Sequence, residues 1–242
     1  RMQERHGRLT AGPHDRDETL MGHKPFLVLA DYLTRKGIVV LRADKRGCGK
    51  SGGSYAQAVM QDFASDADAG VAYLKTRPEV DPHKIGLVGH SEGGVEAPMA
   101  AVDNHDVAFV VMLAGMGVRG DQLLPEQLRL IELASGKKSD EVDKDLATQR
   151  DVLAAVEKDK DQASLEKDLR AILAGKVPEP QMDMQVKAVN SPWFRGLLEY
   201  DPAPTLSKLT CPVLALNGEK DLQVPPQQNL PPIRKAFAAA GN

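Results

Sequence analysis

Residues Gly89-His90-Ser91-Glu92-Gly93 have the form G-x-S-x-G. The apolar Ile85, Leu87 and Val88 lead into them, and a helical stretch from Ser91 to about Val102 follows. A serine on a sharp strand-to-helix turn is held in a strained backbone conformation, with its hydroxyl above the carboxyl end of a sheet. Ser91 is therefore the candidate nucleophile for attack on an acyl carbonyl. The Glu92 N–H, at the helix start, would face the developing oxyanion, and the helix dipole favours negative charge there. Gly89 and Gly93 are expected to relieve the close approach of strand and helix. The pentapeptide alone is a weak signal. Its flanking strand and helix set it apart from an ordinary glycine-rich turn.

A serine hydroxyl is a poor nucleophile at neutral pH and needs a base, usually a histidine oriented by a carboxylate. On this turn the chain order is Ser, acid, His, with the acid after a late strand. The segment Leu216-Asn217-Gly218-Glu219-Lys220-Asp221 offers Asp221, with Glu219 second. The histidines are His6, His14, His23, His83, His90 and His105, and none follows Asp221. The His90 side chain should turn away from the hydroxyl. His83 and His105 read as solvated loop residues. His14 and His23 are candidates for a substrate pocket but stand outside the expected order.

Two other chemistries fit poorly. Asp44-Lys45-Arg46-Gly47-Cys48-Gly49-Lys50-Ser51 ends like a phosphate-cradling G-x-x-x-x-G-K-[ST] loop, yet its first position is Asp44 rather than glycine. No H-E-x-x-H or paired-histidine spacing suggests a metal site. No metal or organic cofactor is implied. The formal net charge of -3, from 31 basic and 34 acidic residues, gives no reason to expect nucleic acid or an anionic membrane as partner. No apolar run approaches the roughly 18 residues of a membrane span. Cys48 and Cys211 are expected as free thiols.

The elements that must position Ser91 can be traced along the 242 residues. Residues 1–24 are polar. Phe26, Leu27, Leu29, Ala30 and Leu33 recur at helical spacing, and Gly37 stops the run. Ile38-Val39-Val40-Leu41 reads as a buried strand. Tyr55 to Thr76 reads as one helix, Ile85 to Gly89 as a strand, and Val107 to Leu113 as another. Pro98 should kink the helix after Ser91 or mark an irregular turn. This alternation predicts an α/β fold, a parallel sheet with helices on both faces. Residues 121–190 are charged, helical in period and almost free of β-branched runs, as in an inserted helical cap. Val213 to Leu216 restores the sheet, and a last helix starts near Ile233.

Several segments, in order, resemble bacterial α/β-hydrolase esterases of the serine-aminopeptidase-like group. They are Gly12–Thr19, Gly22–Phe26, Leu41–Ser51, Gly89–Gly94 and Pro212–Pro225. The resemblance covers most of residues 10–235 and is weakest over the cap. It implies a core of 1–120 and 201–242 and a helical cap of 121–200. It also implies serine ester hydrolysis with Ser91 as nucleophile and Asp221 as triad acid, and a second oxyanion N–H near Ala11 or Gly12. The sequence departs from the pattern twice. Arg1 to Leu9 is polar where the group has an apolar strand, and no histidine loop follows the helix near Ile233. Truncation at both ends is the simplest expectation.

The expected function is cleavage of carboxylic esters, short-chain acyl esters foremost, with a small-molecule ester as partner. The alternative is a catalytically impaired fold that binds a ligand or a protein. Trp193 and Phe194 are candidates for lining an acyl pocket, although packing of cap on core is the favoured role. Oligomeric state is left open. So is localisation, whether cytoplasmic or exported behind a signal preceding Arg1.

Overall fold

A computed structural model describes residues 14–159 and 161–241. Three parallel strands form a sheet: β1 (Gly86–His90), β2 (Phe109–Leu113) and β3 (Val213–Leu216), in that spatial order. Their registers end together, His90 beside Leu113 and Leu113 beside Leu216. The residues that follow β1 and β3 therefore emerge at one end of the sheet.

Helix α1 (Pro25–Arg35) forms where the apolar spacing predicts it, with Pro25 in its first turn. Tyr55 to Thr76 is not one helix. A single 3-10 turn at Tyr55–Gln57 precedes α2 (Met60–Lys75). The break falls at Val59, whose N–H donates to Asp62 Oδ2 at 2.9 Å and caps the start of α2. Helix α3 (Gly93–Asp103) follows β1 and runs through Pro98 without ending.

The buried strand expected at Ile38–Leu41 is not formed as read. These residues pair with no strand among the described residues, and Ile38, Val39 and Leu41 are 50%, 49% and 42% exposed. A β-branched run specifies a strand only when a neighbour takes its backbone groups. The packed face of the sheet carries Val110 and Met112, buried against Ala97 and Ala101 of α3. The other face leaves Val88, Leu214 and Leu216 exposed.

Between β2 and β3 lie α4 (Gly120–Ala134), α5 (Ser139–Lys158), α6 (Gln162–Leu173), α7 (Glu179–Val189) and α8 (Pro192–Glu199). Asp161 and Ser191 cap α6 and α8, accepting from the Ser164 and Phe194 N–H groups. The apolar stripes of these helices, with Leu165, Leu169, Val186 and Leu198, share one cluster with Met60, Phe63 and Val95. The helical segment is thus packed directly on α2 and α3. The short α9 (Pro202–Leu206) leads back to β3.

The last helix, α10, spans Pro226–Ala240 and starts before the expected Ile233. Pro226 suits a first turn, and Pro231 and Pro232 sit inside the helix. The buried Asn229, Ile233 and Ala236 hold it in place. Asn229 accepts the Gly117 N–H at 2.9 Å and donates to the Pro225 carbonyl at 2.9 Å. Cys48 and Cys211 are free. No helix among the described residues is long and apolar enough to cross a membrane.

Asn229 is fully buried, so Asn229→Ala leaves the Gly117 N–H without its acceptor. The expected loss is about 1–3 kcal/mol, read as a lower urea midpoint with an unchanged slope.

Candidate active site

The residue between β1 and α3 that carries the turn is Ser91, at φ 54, a left-handed conformation rare for a residue with a side chain. Its N–H donates to the Leu113 carbonyl at 2.8 Å, which continues the β1–β2 ladder one residue past the strand. The Ala114 N–H donates to the Leu216 carbonyl at 2.7 Å and does the same between β2 and β3. The α3 helix begins at once, with the Gly94 N–H donating to the Ser91 carbonyl at 2.9 Å. The chain must reverse within two residues, and the positive φ of Ser91 allows it.

This reversal presses the strand end against the helix start. A Cβ on Gly89 would overlap the Gly93 carbonyl oxygen. A Cβ on Gly94 would lie 2.7 Å from the Gly115 Cα. The expectation for Gly93 needs correction, since the nearest atom to a Cβ there is Glu96 Oε2 at 4.0 Å. Its carbonyl, rather than its missing side chain, sets the close approach, and Gly94 is the second tight position. Ser91 itself is half-buried and not enclosed. Among the described residues the Glu92 N–H has no hydrogen-bond acceptor, so this donor at the helix start is unspent.

Asp221 follows β3 in a turn that uses its own carboxylate. Oδ1 accepts the Gln223 and Val224 N–H groups at 2.9 and 3.0 Å. Asp221 is half-buried, whereas Glu219 is exposed. His90 turns to Glu18, with Nδ1 and Oε1 at 3.0 Å, and meets the Phe26 ring edge-on at 5.9 Å. The Glu18 hydrogen bond raises the His90 pKa above its ordinary value against the pull of burial, and the charges of Glu18 and Asp221 add to the rise.

The His14 carbonyl accepts the Lys45 N–H at 3.2 Å, and His23 is exposed in a short bridge with Leu20. Trp193 and Phe194 are buried at 6% and 2% exposure in the cluster that joins the helical segment to α2 and α3. Ala11 and Gly12 lie outside the described residues.

The glycine-rich loop after residue 43 closes around a carboxylate. Asp44 accepts from the Arg16 N–H and guanidinium and, through Oδ2, from the Lys50 N–H at 3.0 Å. The Arg16 hydrogen bonds, with those from the Lys50 and Arg16 amides, hold the Asp44 pKa far below its usual range. An anion of the protein's own thus sits where a phosphate cradle would keep space. No group of three metal-ligating side chains occurs among the described residues.

Sequence reasoning missed a buried charged cluster behind the turn. Lys45 Nζ lies 2.6 Å from Glu92 Oε2 and 3.5 Å from Glu96 Oε1. The Trp193 Nε1–H donates to the other Glu92 oxygen. Burial works against the Lys45 charge, but the two carboxylates outweigh it and raise its pKa. Burial pushes the Glu96 pKa up to about 8, with Lys45 opposing and the Glu92 charge adding. The available signal was two acids four residues apart on an otherwise small and apolar helix.

Residues 24–242 match the family model described as serine aminopeptidase, S33. Esterase EstD of Thermotoga maritima is 28% identical over 214 residues, which are 88% of this chain and 45% of that protein. The chain thus spans about half the length of that relative. An uncharacterised 31.7 kDa protein of Escherichia coli is 25% identical over 203 residues, 82% of this chain and 68% of that one. An esterase structure from Pyrococcus furiosus covers 89% of this chain and 62% of its own, with TM-score 0.54 and 18% identity. The α/β hydrolase GrgF from a Penicillium species covers 86% and 71% at the same TM-score and identity. At such identity the likeness is one of fold.

Gly89→Ala should destabilise strongly because its Cβ meets backbone, whereas Gly93→Ala should fold near the parental melting temperature. Thermal unfolding of the pair checks the contrast. Folded Glu96 holds its proton more tightly than its ordinary value of 4.5 implies. Its contribution to stability is therefore full below pH 4.5, declines as pH rises through about 8, and is level above that. Melting temperatures from pH 5 to 9 should fall in the parent and fall less in Glu96→Gln.

Proposed function

From the premise that this chain belongs to the serine aminopeptidase S33 family and has the α/β-hydrolase fold, we propose that it is a serine hydrolase. It cleaves carboxylic esters, short-chain acyl esters foremost, through an acyl-enzyme intermediate. The observation that carries this reading is the positive φ of Ser91, at the sheet end that also bears Asp221. The naming of relatives as esterases supports the ester substrate.

In the proposed reaction Ser91 Oγ bonds to the acyl carbon as its proton passes to a base. The carbonyl π pair moves onto oxygen, and the Glu92 N–H receives the oxyanion. A second N–H comes from Ala11 or Gly12. Collapse expels the alcohol and leaves Ser91 acylated, and water then repeats the sequence to release the acid. Asp221 is the triad acid that orients the base and stabilises its protonated form. The two amides that hold its Oδ1 support a fixed orientation. Residues 121–200 act as a cap over the core of 1–120 and 201–242, a reading supported by their shared apolar cluster. Trp193 and Phe194 serve cap packing first, and His14 and His23 are the remaining pocket candidates.

A p-nitrophenyl ester and a fluorophosphonate probe test this reading. The parent chain should hydrolyse the ester and be labelled on Ser91. Ser91→Ala should lose the label and at least about 10³-fold in kcat. Asp221→Asn should lower kcat and slow the labelling of Ser91, because the acid acts through the base that activates the hydroxyl. Equal rates from parent and Ser91→Ala would refute the serine mechanism and leave a ligand-binding fold.

A further inference from the structure

Glu92 presents two groups to the same small region. Its N–H is the proposed oxyanion donor, and its carboxylate is buried at 7% exposure one side chain away. A bare negative charge there would oppose the charge that develops on the acyl oxygen, and more strongly than in water because the surroundings are apolar. Neither carboxylate oxygen is bare. Oε2 meets the Lys45 ammonium at 2.6 Å, and Oε1 accepts the Trp193 indole N–H.

Each partner is itself fixed. The Lys45 ammonium lies 4.7 Å from the centre of the Phe63 ring and 5.9 Å from that of Tyr55, in cation–π range of both. The Tyr55 ring stacks at a tilt 6.3 Å from Trp193. The Tyr55 hydroxyl is buried without a hydrogen-bond partner in the described structure, so that residue is kept there by its ring. Trp193 belongs to α8, 101 residues from Glu92 in the chain. The groups that face the Glu92 carboxylate thus come from the Asp44 loop, from α3 and from the helical segment.

Resting on the reading of Ser91 as nucleophile, we propose that Lys45 and Trp193 are positioning residues for the oxyanion donor. Lys45 neutralises the Glu92 carboxylate behind the turn that bears Ser91, and Trp193 pins it, so that a docked helical segment and a correctly aimed Glu92 N–H are one structural state. Neither residue touches substrate. A core ion pair that served stability alone would make different demands. Loss of Lys45 would then act through the folded fraction alone, and kcat per folded molecule would stay parental in the single and the double variant.

The decisive comparison is among Lys45→Met, the double variant Lys45→Met/Glu92→Gln, and Trp193→Phe in the full chain. Ester hydrolysis gives kcat and KM, the fluorophosphonate gives the labelling rate of Ser91, and circular dichroism gives the folded fraction. Trp193 is the sole tryptophan, so its emission reports on the cluster directly in the variants that keep it. Lys45→Met should lower kcat by about 10²-fold, the size of losing an oxyanion donor, with KM changed less than about 2-fold. Its Trp193 emission should shift. The double variant should recover at least about 10-fold of that loss, since Gln keeps an acceptor for the indole without the charge. Trp193→Phe keeps the ion pair and should cost roughly 10-fold in kcat.

A folded Lys45→Met with parental kcat and emission overturns the proposal, as does a folded double variant no faster than the single one. If Lys45→Met does not fold, a Trp193→Phe variant with parental kcat overturns it instead. Absence of Ser91 labelling in the parent chain overturns the nucleophile reading and this proposal with it. Labelling that is fast in the parent and equally fast in all variants overturns this proposal alone.

Discussion

The chain has to leave a strand and enter a helix with almost no loop between them, and most of the site's features follow from that short reversal. The β1 ladder still holds at Ser91, whose N–H is bonded to Leu113, while the Ser91 carbonyl is already taken by the Gly94 N–H of α3. One residue is shared by both elements. For an L-residue this costs of order 1–3 kcal/mol of backbone strain. The surroundings hold the strain because α3 is buried along most of its length, from Gly94 to Ala101. Gly89 and Gly94 are required because the reversal brings backbone onto backbone, where a side chain has nothing soft to displace.

The same reversal exposes the start of α3 at the carboxyl end of the sheet. Because β1, β2 and β3 end in register, the turn that carries Asp221 lies at that end too. Neighbouring strands lie about 4.8 Å apart, so β1 and β3 are separated by about 10 Å across β2. The site is therefore a property of strand order and register. No single loop creates it, and the packing of α10 through Asn229 to Gly117 ties the segments after β2 and β3 to each other.

How much of this could be read from the residues depends on the range over which each feature is determined. The turn at Ser91 was legible because its causes are local: an apolar strand, two glycines and a helix within a dozen positions. The position of Asp221 was legible for a similar reason, since Val213–Leu216 is a short and clear apolar run, it forms β3, and the turn with Asp221 follows it. The segment Ile38–Leu41 misled because a strand is a relation between two stretches of chain, and the run itself names no partner. The start of α10 misled in the other direction. Pro231 and Pro232 argue against a helix locally, and buried contacts at Asn229 and Ile233 decide otherwise. The Lys45, Glu92 and Glu96 cluster spans separations of 47 and 51 residues, and no periodicity connects a loop lysine to a helix acid so far away.

Carboxylates near this end of the sheet are divided by their surroundings. Asp221 is half-buried and bonded to two backbone amides of its own turn, which fix the direction of its carboxylate. Glu96 is buried beside Lys45 and Glu92, and burial pushes its pKa up to about 8. Glu92 has an ammonium on one oxygen and an indole N–H on the other. The Lys45 ammonium thus faces both buried carboxylates behind Ser91. Two acids on α3 would otherwise place negative charge at the helix end whose dipole favours an incoming anion. Pairing them internally leaves the Glu92 N–H, which has no acceptor among the described residues, as the group this end of α3 offers outward, and that arrangement supports its proposed role as oxyanion donor.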